Sequence, residues 1–369
     1  MAGIYIHIPF CRQACHYCNF HFATSLHYKK ELIESIVREL ELQRSYTGDE
    51  VIETIYFGGG TPSLCSVEEI KSMTGKIFDS YPVAADAEVT LEANPDDITV
   101  EKLEGWKASG INRLSIGIQS FFEEDLQWMN RAHNAGQAIH NLELAKQHFD
   151  NISIDLIYGT PQLTDEKWEQ NVDRVIQLGI PHISCYALTV EPKTPLQKMI
   201  RLHQSADVNP DQQSEQFLLL MHWLQEAGYE HYEISNFAKP GWHSRHNSSY
   251  WQGKKYVGIG PSAHSFDGSS RQWNVANNSQ YIQALSKNEL SFEKEELTPT
   301  QQLNEYIMIS LRTAKGIDLG RVPPRESQLL QKRSEKYINS GLMEVIGERL
   351  VLTKQGRLLA DGIAADLFF

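Results

Sequence analysis

The sequence predicts an α/β fold of six βαβ units followed by a smaller α+β accessory domain. Three observations carry this. Six short β-rich runs alternate with helical runs in the first half, the rhythm breaks after about residue 195, and polar and glycine residues gather at the ends of successive strands.

The strands are expected at Ile4–Ile8, Thr54–Phe57, Glu88–Glu92, Arg113–Ile118, Ile152–Ile157 and Ile183–Leu188. Between the first two, Leu32, Ile33, Ile36, Val37 and Leu40 recur at helical spacing, and Val67, Ile70, Met73 and Ile77 repeat the pattern after the second. Ser66 and Glu69 stand three apart, the spacing of a capping box that opens this helix. Gly110 and Gly179 each follow a helical pattern and precede a strand, as helix-terminating glycines do. Periodicity alone leaves two arrangements open, a doubly wound sheet and a barrel lacking two units. In both, ligands sit at the carboxyl ends of the strands. The unusual residues lie there: Cys11 after strand one, Gly58–Pro62 after strand two, Glu92 ending strand three, Gln119 after strand four, with Asp155 within strand five.

Residues 1–230 are expected to form this core and residues 231–369 the accessory domain. A helix at about Asp211–Ala227 leads into an aromatic-rich segment, Tyr229–Phe266. The tail offers a helix around Leu303–Leu311, a hairpin at Leu342–Val351 turning at Gly347, and a last amphipathic helix. Helix followed by hairpin suggests a winged-helix-like cap, read as a packing domain without a DNA role.

The net charge of −13 argues against nucleic-acid binding, which needs an excess of Lys and Arg. No transmembrane stretch and no signal peptide is evident; the best apolar run, Phe217–Met221, is far too short to span a bilayer. Five cysteines are too few, and too clustered, for a disulfide framework, so a cytoplasmic setting is expected, with peripheral membrane contact left open.

Three of the five, Cys11, Cys15 and Cys18, fall in one loop with C-x3-C-x2-C spacing. Three thiolates in one loop hold three irons of a [4Fe–4S] cluster and leave the fourth open to chelate an amino acid-like ligand. If that ligand is S-adenosylmethionine (SAM), one electron from the cluster cleaves its C–S bond. Structural zinc is the alternative, with His7, His16 or His21 as the fourth ligand. A haem-attachment motif fails because Asn19 stands where C-x-x-C-H needs His. Cys65 and Cys185 have no sequence partners and read as packing residues. The run Gly58-Gly59-Gly60-Thr61-Pro62 lets backbone approach a ligand closely, and Glu92 is placed to accept from ribose hydroxyls.

Tyr5–Cys11, Gly58–Pro62, Glu92-Ala-Asn-Pro95, Ser115–Phe121 and Asp155–Gly159 together resemble the family of oxygen-independent coproporphyrinogen III dehydrogenases and their relatives, over nearly the whole chain. The resemblance implies a partial (β/α)6 TIM-like barrel of radical SAM type. It also implies that Tyr5, Gly60 and Glu92 contact cluster-bound SAM. Tyr17, Thr61, Pro62, Gln119, Arg131, Asp155 and Ala187 would line a second SAM or the neighbouring cavity. The fork of Arg131 suits a carboxylate, in agreement with the resemblance; without it the residue reads as a surface charge.

Two departures separate the chain from the true dehydrogenases: Phe20 stands where they carry a fourth cysteine, and strand one begins at Ile4 without their N-terminal extension. Both match the HemW family of haem chaperones, as does His246-Asn-Ser-Ser-Tyr250-Trp251, which looks like that family's H-N-x-x-Y-W signature. His246 offers an imidazole for iron, with His243 as the weaker alternative, and Trp242, Tyr250 and Trp251 offer flat faces for a porphyrin. The resemblance therefore implies binding of haem and its delivery to haem-accepting proteins, membrane respiratory enzymes among them. A flavodoxin or ferredoxin would serve as electron donor. The alternatives are coproporphyrinogen III decarboxylation and another radical reaction on a tetrapyrrole.

Overall fold

The structure, a computed structural model, describes all 369 residues. The first half runs β1 (Ala2–Ile8), α1 (Lys29–Leu42), β2 (Ile52–Gly59), α2 (Val67–Ser80), β3 (Val83–Ala93), α3 (Val100–Ala108), β4 (Arg113–Gln119), α4 (Glu123–Trp128), α5 (Ala135–Lys146), β5 (Ile152–Tyr158), α6 (Asp165–Gln177) and β6 (His182–Ala187). All six expected strands form, and they pair in parallel in chain order from β1 to β6. Ser66 and Glu69 make the expected reciprocal capping box at α2, and the structure adds another, Asn134 with Gln137, at α5. Gly110 and Gly179 take positive φ just past α3 and α6.

The strands alternate with period two. Ile4, Ile6 and Ile8 on β1, Ile55 and Phe57 on β2, Leu114, Ile116 and Ile118 on β4, and Ile152, Ile154 and Leu156 on β5 face the helices, in one buried core. Each such side chain contributes about 1.5–3 kcal/mol of burial. The opposite face carries Tyr5, Tyr56, Glu88, Thr90, Glu92, Arg113, Ser115, Ser153, Asp155 and His182. Residues from all these strands surround shared interior space, so the sheet curves into a partial barrel.

The chain continues with α7 (Pro195–Arg201), α8 (Pro210–Glu226), β7 (Glu230–Glu233), β8 (Asn236–Ala238), α9 (Arg245–Trp251), β9 (Lys255–Ile259), β10 (His264–Phe266), β11 (Ser270–Asn274), α10 (Asn278–Ser286) and β12 (Phe292–Glu296). The expected break at 230/231 does not divide the cores. β8 and β7 extend the sheet beyond β6, β9 pairs in parallel with β1, and β10 to β12 complete twelve strands. Val257, Ile259, Tyr281 and Leu285 belong to the large core. The aromatic segment is thus part of the barrel. The reason is polar: the inward side chains at the amino ends of β2 and β3 need partners, and the start of α9 supplies them. Glu88 accepts from the backbone N–H of Arg245 and of His246, each at 2.9 Å.

A second core of twelve buried residues begins only at Ile307. It joins α11 (Pro299–Leu311), β13 (Ile317–Asp318), α12 (Pro324–Asn339), β14 (Met343–Ile346), β15 (Arg349–Leu352), α13 (Lys354–Arg357) and α14 (Ala360–Leu367). The expected hairpin is β14–β15, turning at Gly347 (φ 60°), with β13 as a third antiparallel strand. No helix is long and apolar enough to cross a membrane.

Candidate functional site

Pro9 ends β1, and the next residues form a loop closed at its base by Cys11 N–H to Ala23 O (3.1 Å) and Ala23 N–H to Pro9 O (2.9 Å). The neighbouring strand ends hold this loop. Gly60 and Thr61 donate backbone N–H groups to Ile8 O and Phe10 O. Arg12 reaches Asp97 at 2.6 Å, and Asp97 also accepts from Ser63. Gln13 Nε2 donates to Asn130 Oδ1, and Asn130 Nδ2 donates to Ala14 O of the loop, Asn130 holding a positive φ of 57°. His16 bonds Trp128 O through Nδ1 and takes Leu196 N–H on its own carbonyl.

The loop thereby presents Cys11, Cys15 and Cys18 to one cavity of about 570 Å3 at the carboxyl ends of β2 to β6. Thr61 Oγ1 lies 3.6 Å from Cys11 Sγ, and Arg131 Nη1 lies 3.3 Å from Cys15 Sγ. Burial pushes the Cys11 thiol up to about 11, partly offset by Thr61, and raises Cys18 too. Binding iron to these sulfurs must therefore release protons. Cys65 and Cys185 are fully buried in the core, as packing residues.

Of the three candidate fourth ligands for zinc, His7 alone has both ring nitrogens engaged. His7 spends its ring nitrogens on Tyr5 OH and His21 O, His16 spends Nδ1 on Trp128 O, and His21 spends Nε2 on Asn278. No three His, Cys, Asp or Glu side chains converge on one ion. A cubane cluster makes no such demand, since it takes each thiolate on a different iron.

Opposite the cysteines stands Glu92, accepting from Tyr56 OH at 2.8 Å and from Gly59 N–H at 3.2 Å. It is neither a solvated nor a salt-bridged loop acid. Burial raises its carboxyl to about 7, and the nearby Asp155 adds to this. Asp155 is itself pushed up to about 6 by burial, against the pull of Arg113 and Arg131. Arg131 donates to Asn94 at 2.8 Å and Gly117 O at 3.1 Å, while its buried Nε has no partner. Gln119 turns in through a positive φ of 65° that breaks the β4–β5 register. Three loop thiols, a buried carboxylate and an incompletely satisfied guanidinium around one cavity fit a cluster with a zwitterionic nucleoside ligand.

Tyr17, Gly60, Thr61, Glu92, Gln119, Arg131, Asp155 and Ala187 all line this cavity with the cysteines. Tyr5, Pro62 and His246 do not. Tyr5 packs beside Tyr56 and His7, and Pro62 is buried in a short 3-10 turn. The glycines also do a different job from the one expected. A Cβ on Gly60 would stand 2.6 Å from Phe10 O, and one on Gly59 would strike the His7 ring. They seat the cysteine loop against β2 as much as they admit a ligand. The alternation of β2 and β3 could have found Tyr56, which faces inward two residues before Gly58. Asn94, inside the Glu92–Pro95 motif, accepts from Arg131, a role the resemblance does not assign it.

His246 departs most from expectation. It is 1% exposed, with Nδ1 at 2.8 Å from Thr54 Oγ1 and Nε2 at 2.9 Å from Tyr250 OH, and its ring stacks on Tyr56. Burial and Arg113 lower its pKa to about 3. It closes the amino end of the barrel and has no free nitrogen for iron. His243, by contrast, is on the surface, stacked on Tyr232 and bonded to Glu230.

Residues 5–175 match the model of the radical SAM superfamily, and residues 297–359 match the HemN C-terminal domain. The haem chaperone HemW of Mycobacterium tuberculosis is 34% identical over 99% of this chain and 94% of its own length. The haem chaperone HemW of Bacillus subtilis is 33% identical over 98% of each. Among solved structures, coproporphyrinogen III oxidase (HemN) from Escherichia coli, a radical SAM enzyme, superposes with a TM-score of 0.85 over all of this chain and 90% of its own, at 23% identity. That likeness establishes the shared fold.

Proposed function

Because this chain belongs to the HemW family of haem chaperones, we propose that it binds haem and hands it to acceptor proteins, using a radical SAM core without decarboxylating coproporphyrinogen III. The observation that carries the distinction is Phe20. It lies at the mouth of the cysteine cavity, 68% exposed, where the dehydrogenases have a fourth cysteine. An exposed ring replaces a thiol at the rim of the space where a decarboxylation substrate would sit.

Cys11, Cys15 and Cys18 hold the [4Fe–4S] cluster. With SAM bound beside it, the cluster supplies one-electron cleavage of a sulfonium C–S bond. The chain's own residues set the conditions. Thr61 donates to Cys11 sulfur and favours its thiolate, and Arg131 donates to Cys15 sulfur. Glu92, once ionised, accepts from ligand hydroxyls, and the free Nε of Arg131 turns toward a carboxylate. Gln119 and Asp155 complete the polar wall. A flavodoxin or ferredoxin supplies the electron, haem proteins including membrane respiratory enzymes take the cargo, and the cytoplasm is the setting.

The test is transfer. Chain loaded with haem under anaerobic conditions is mixed with a haem-free acceptor, and the acceptor's absorption spectrum is followed. The proposal expects haem to appear on the acceptor faster than free haem binds it. Haem that never loads onto the chain, or never leaves it, contradicts the proposal.

A further inference from the structure

A second cleft, of about 320 Å3, lies between the two cores and away from the cysteines. Its walls carry Trp251 from α9, Tyr256 and Phe266 from β9 and β10, Arg271 from β11, and Tyr306 and Arg321 from the C-terminal body. Tyr256 and Phe266 adjoin, 6.4 Å apart between centroids, and Arg312 lies 5.5 Å over the Trp251 ring. Arg271 lies over Phe266, and Arg321 lies 4.7 Å over Tyr306. In a chain of net charge −13, this cleft holds Lys254, Arg271 and Arg321 against one acid, Glu305.

Its hydrogen-bonding capacity is unspent. Arg271 pairs with Glu305 at 2.9 Å, yet its buried Nε has no partner, and neither has the buried Nε1 of Trp251. Arg321 is exposed and makes no salt bridge, whereas Lys254 is tied to Glu53. Buried donors without acceptors are costly. Aromatic walls capped by guanidinium groups, with one cation, Arg321, free of any acid, suit a planar ring system bearing carboxylates.

We infer that this cleft seats the porphyrin, stacking the macrocycle on its aromatic walls and receiving the propionates at Arg271 and Arg321. The inference rests on the haem-carrier reading and locates its cargo. It also resolves the difficulty with His246: the accessible end of the His246–Trp251 signature is Trp251, which faces this cleft. The cleft is at the small end for ligand pockets. It holds one edge of the macrocycle and leaves the other open, as a carrier that must release its cargo requires.

The test titrates the full chain, with its cluster reconstituted, against haem and against haem dimethyl ester, whose propionates are blocked, following visible absorption. Arg321→Glu is expected to weaken haem binding about tenfold, and Arg271→Gln with Arg321→Glu more so. Neither variant should alter binding of the ester appreciably. Arg325→Glu, an exposed charge change outside the cleft, should bind haem as wild type does and controls for net charge. Thermal unfolding of each variant confirms its fold. If wild type binds haem and both cleft variants bind it equally well, the cleft is not the seat while the carrier reading stands. If wild type binds no haem, both fall.

Discussion

Replacing Glu92 by Gln isolates the most informative charge in the cavity. In the folded chain burial raises this carboxyl from its ordinary 4.5 to about 7, with the nearby Asp155 adding to the shift. That difference corresponds to about 3 kcal/mol. The folded pKa is raised, so the stabilising contribution is complete below pH 4.5, declines between 4.5 and 7, and is gone above 7. Glu39 and Asp155, raised to about 7 and about 6, act in the same direction, so only the difference between variant and wild type reports Glu92. Urea unfolding of cluster-free protein at pH 5 and pH 8.5 should show wild type losing about 2.5 kcal/mol more than Glu92→Gln over that interval, the first part of the decline lying below pH 5. SAM binding to the cluster-loaded chain should strengthen through pH 7 in wild type, as the carboxylate ionises into a better acceptor. The variant should bind SAM weakly at every pH. Parallel stability slopes in the two proteins would refute the assignment of a buried, titrating Glu92.

Replacement of Cys11, Cys15 or Cys18 by Ala should each abolish the cluster, read as iron and acid-labile sulfide per chain after anaerobic reconstitution; full iron content in any of the three would exclude that residue. Gly60→Ala places a Cβ 2.6 Å from Phe10 O and 2.7 Å from Ile8 O, so the cysteine loop must lift from β2. Cluster loading should fall severalfold, and unchanged loading would show that the loop yields without cost. His246→Ala leaves Thr54 and Tyr250 without a hydrogen-bond partner and opens a hole against Tyr56; a loss of about 2–4 kcal/mol is expected in urea unfolding at pH 7. Wild-type stability near His246 should also fade as pH drops from 6.5 toward 3, because its folded pKa is depressed. A stable His246→Ala protein lacking haem binding would instead make His246 a ligand.

Why some of this was legible in sequence follows from the kind of signal each residue gives. The six strands carry strict alternation and flanking turn residues, so periodicity located them to within a few residues. The cluster loop was readable because three cysteines at fixed spacing have few other uses. The 230/231 boundary was not readable. β7 to β12 are short, and Glu230–Ala238 joins the barrel through hydrogen bonds to β6 that leave no periodic mark. His246 misled for a related reason: a histidine among aromatic residues looks like a ligand, and only the fold brings Thr54 and Tyr250 to its two nitrogens. Arg271, Arg321 and Tyr306 gave no sign at all, since they meet only when the two cores pack together.

The central claim is tested most directly with one reaction mixture. Cluster-loaded chain, SAM and a strong one-electron reductant are incubated anaerobically with coproporphyrinogen III, and the porphyrin products are separated, while the same preparation is titrated with haem. The account predicts stoichiometric haem binding and no protoporphyrinogen IX. Turnover to protoporphyrinogen IX by a chain that retains no haem would contradict it.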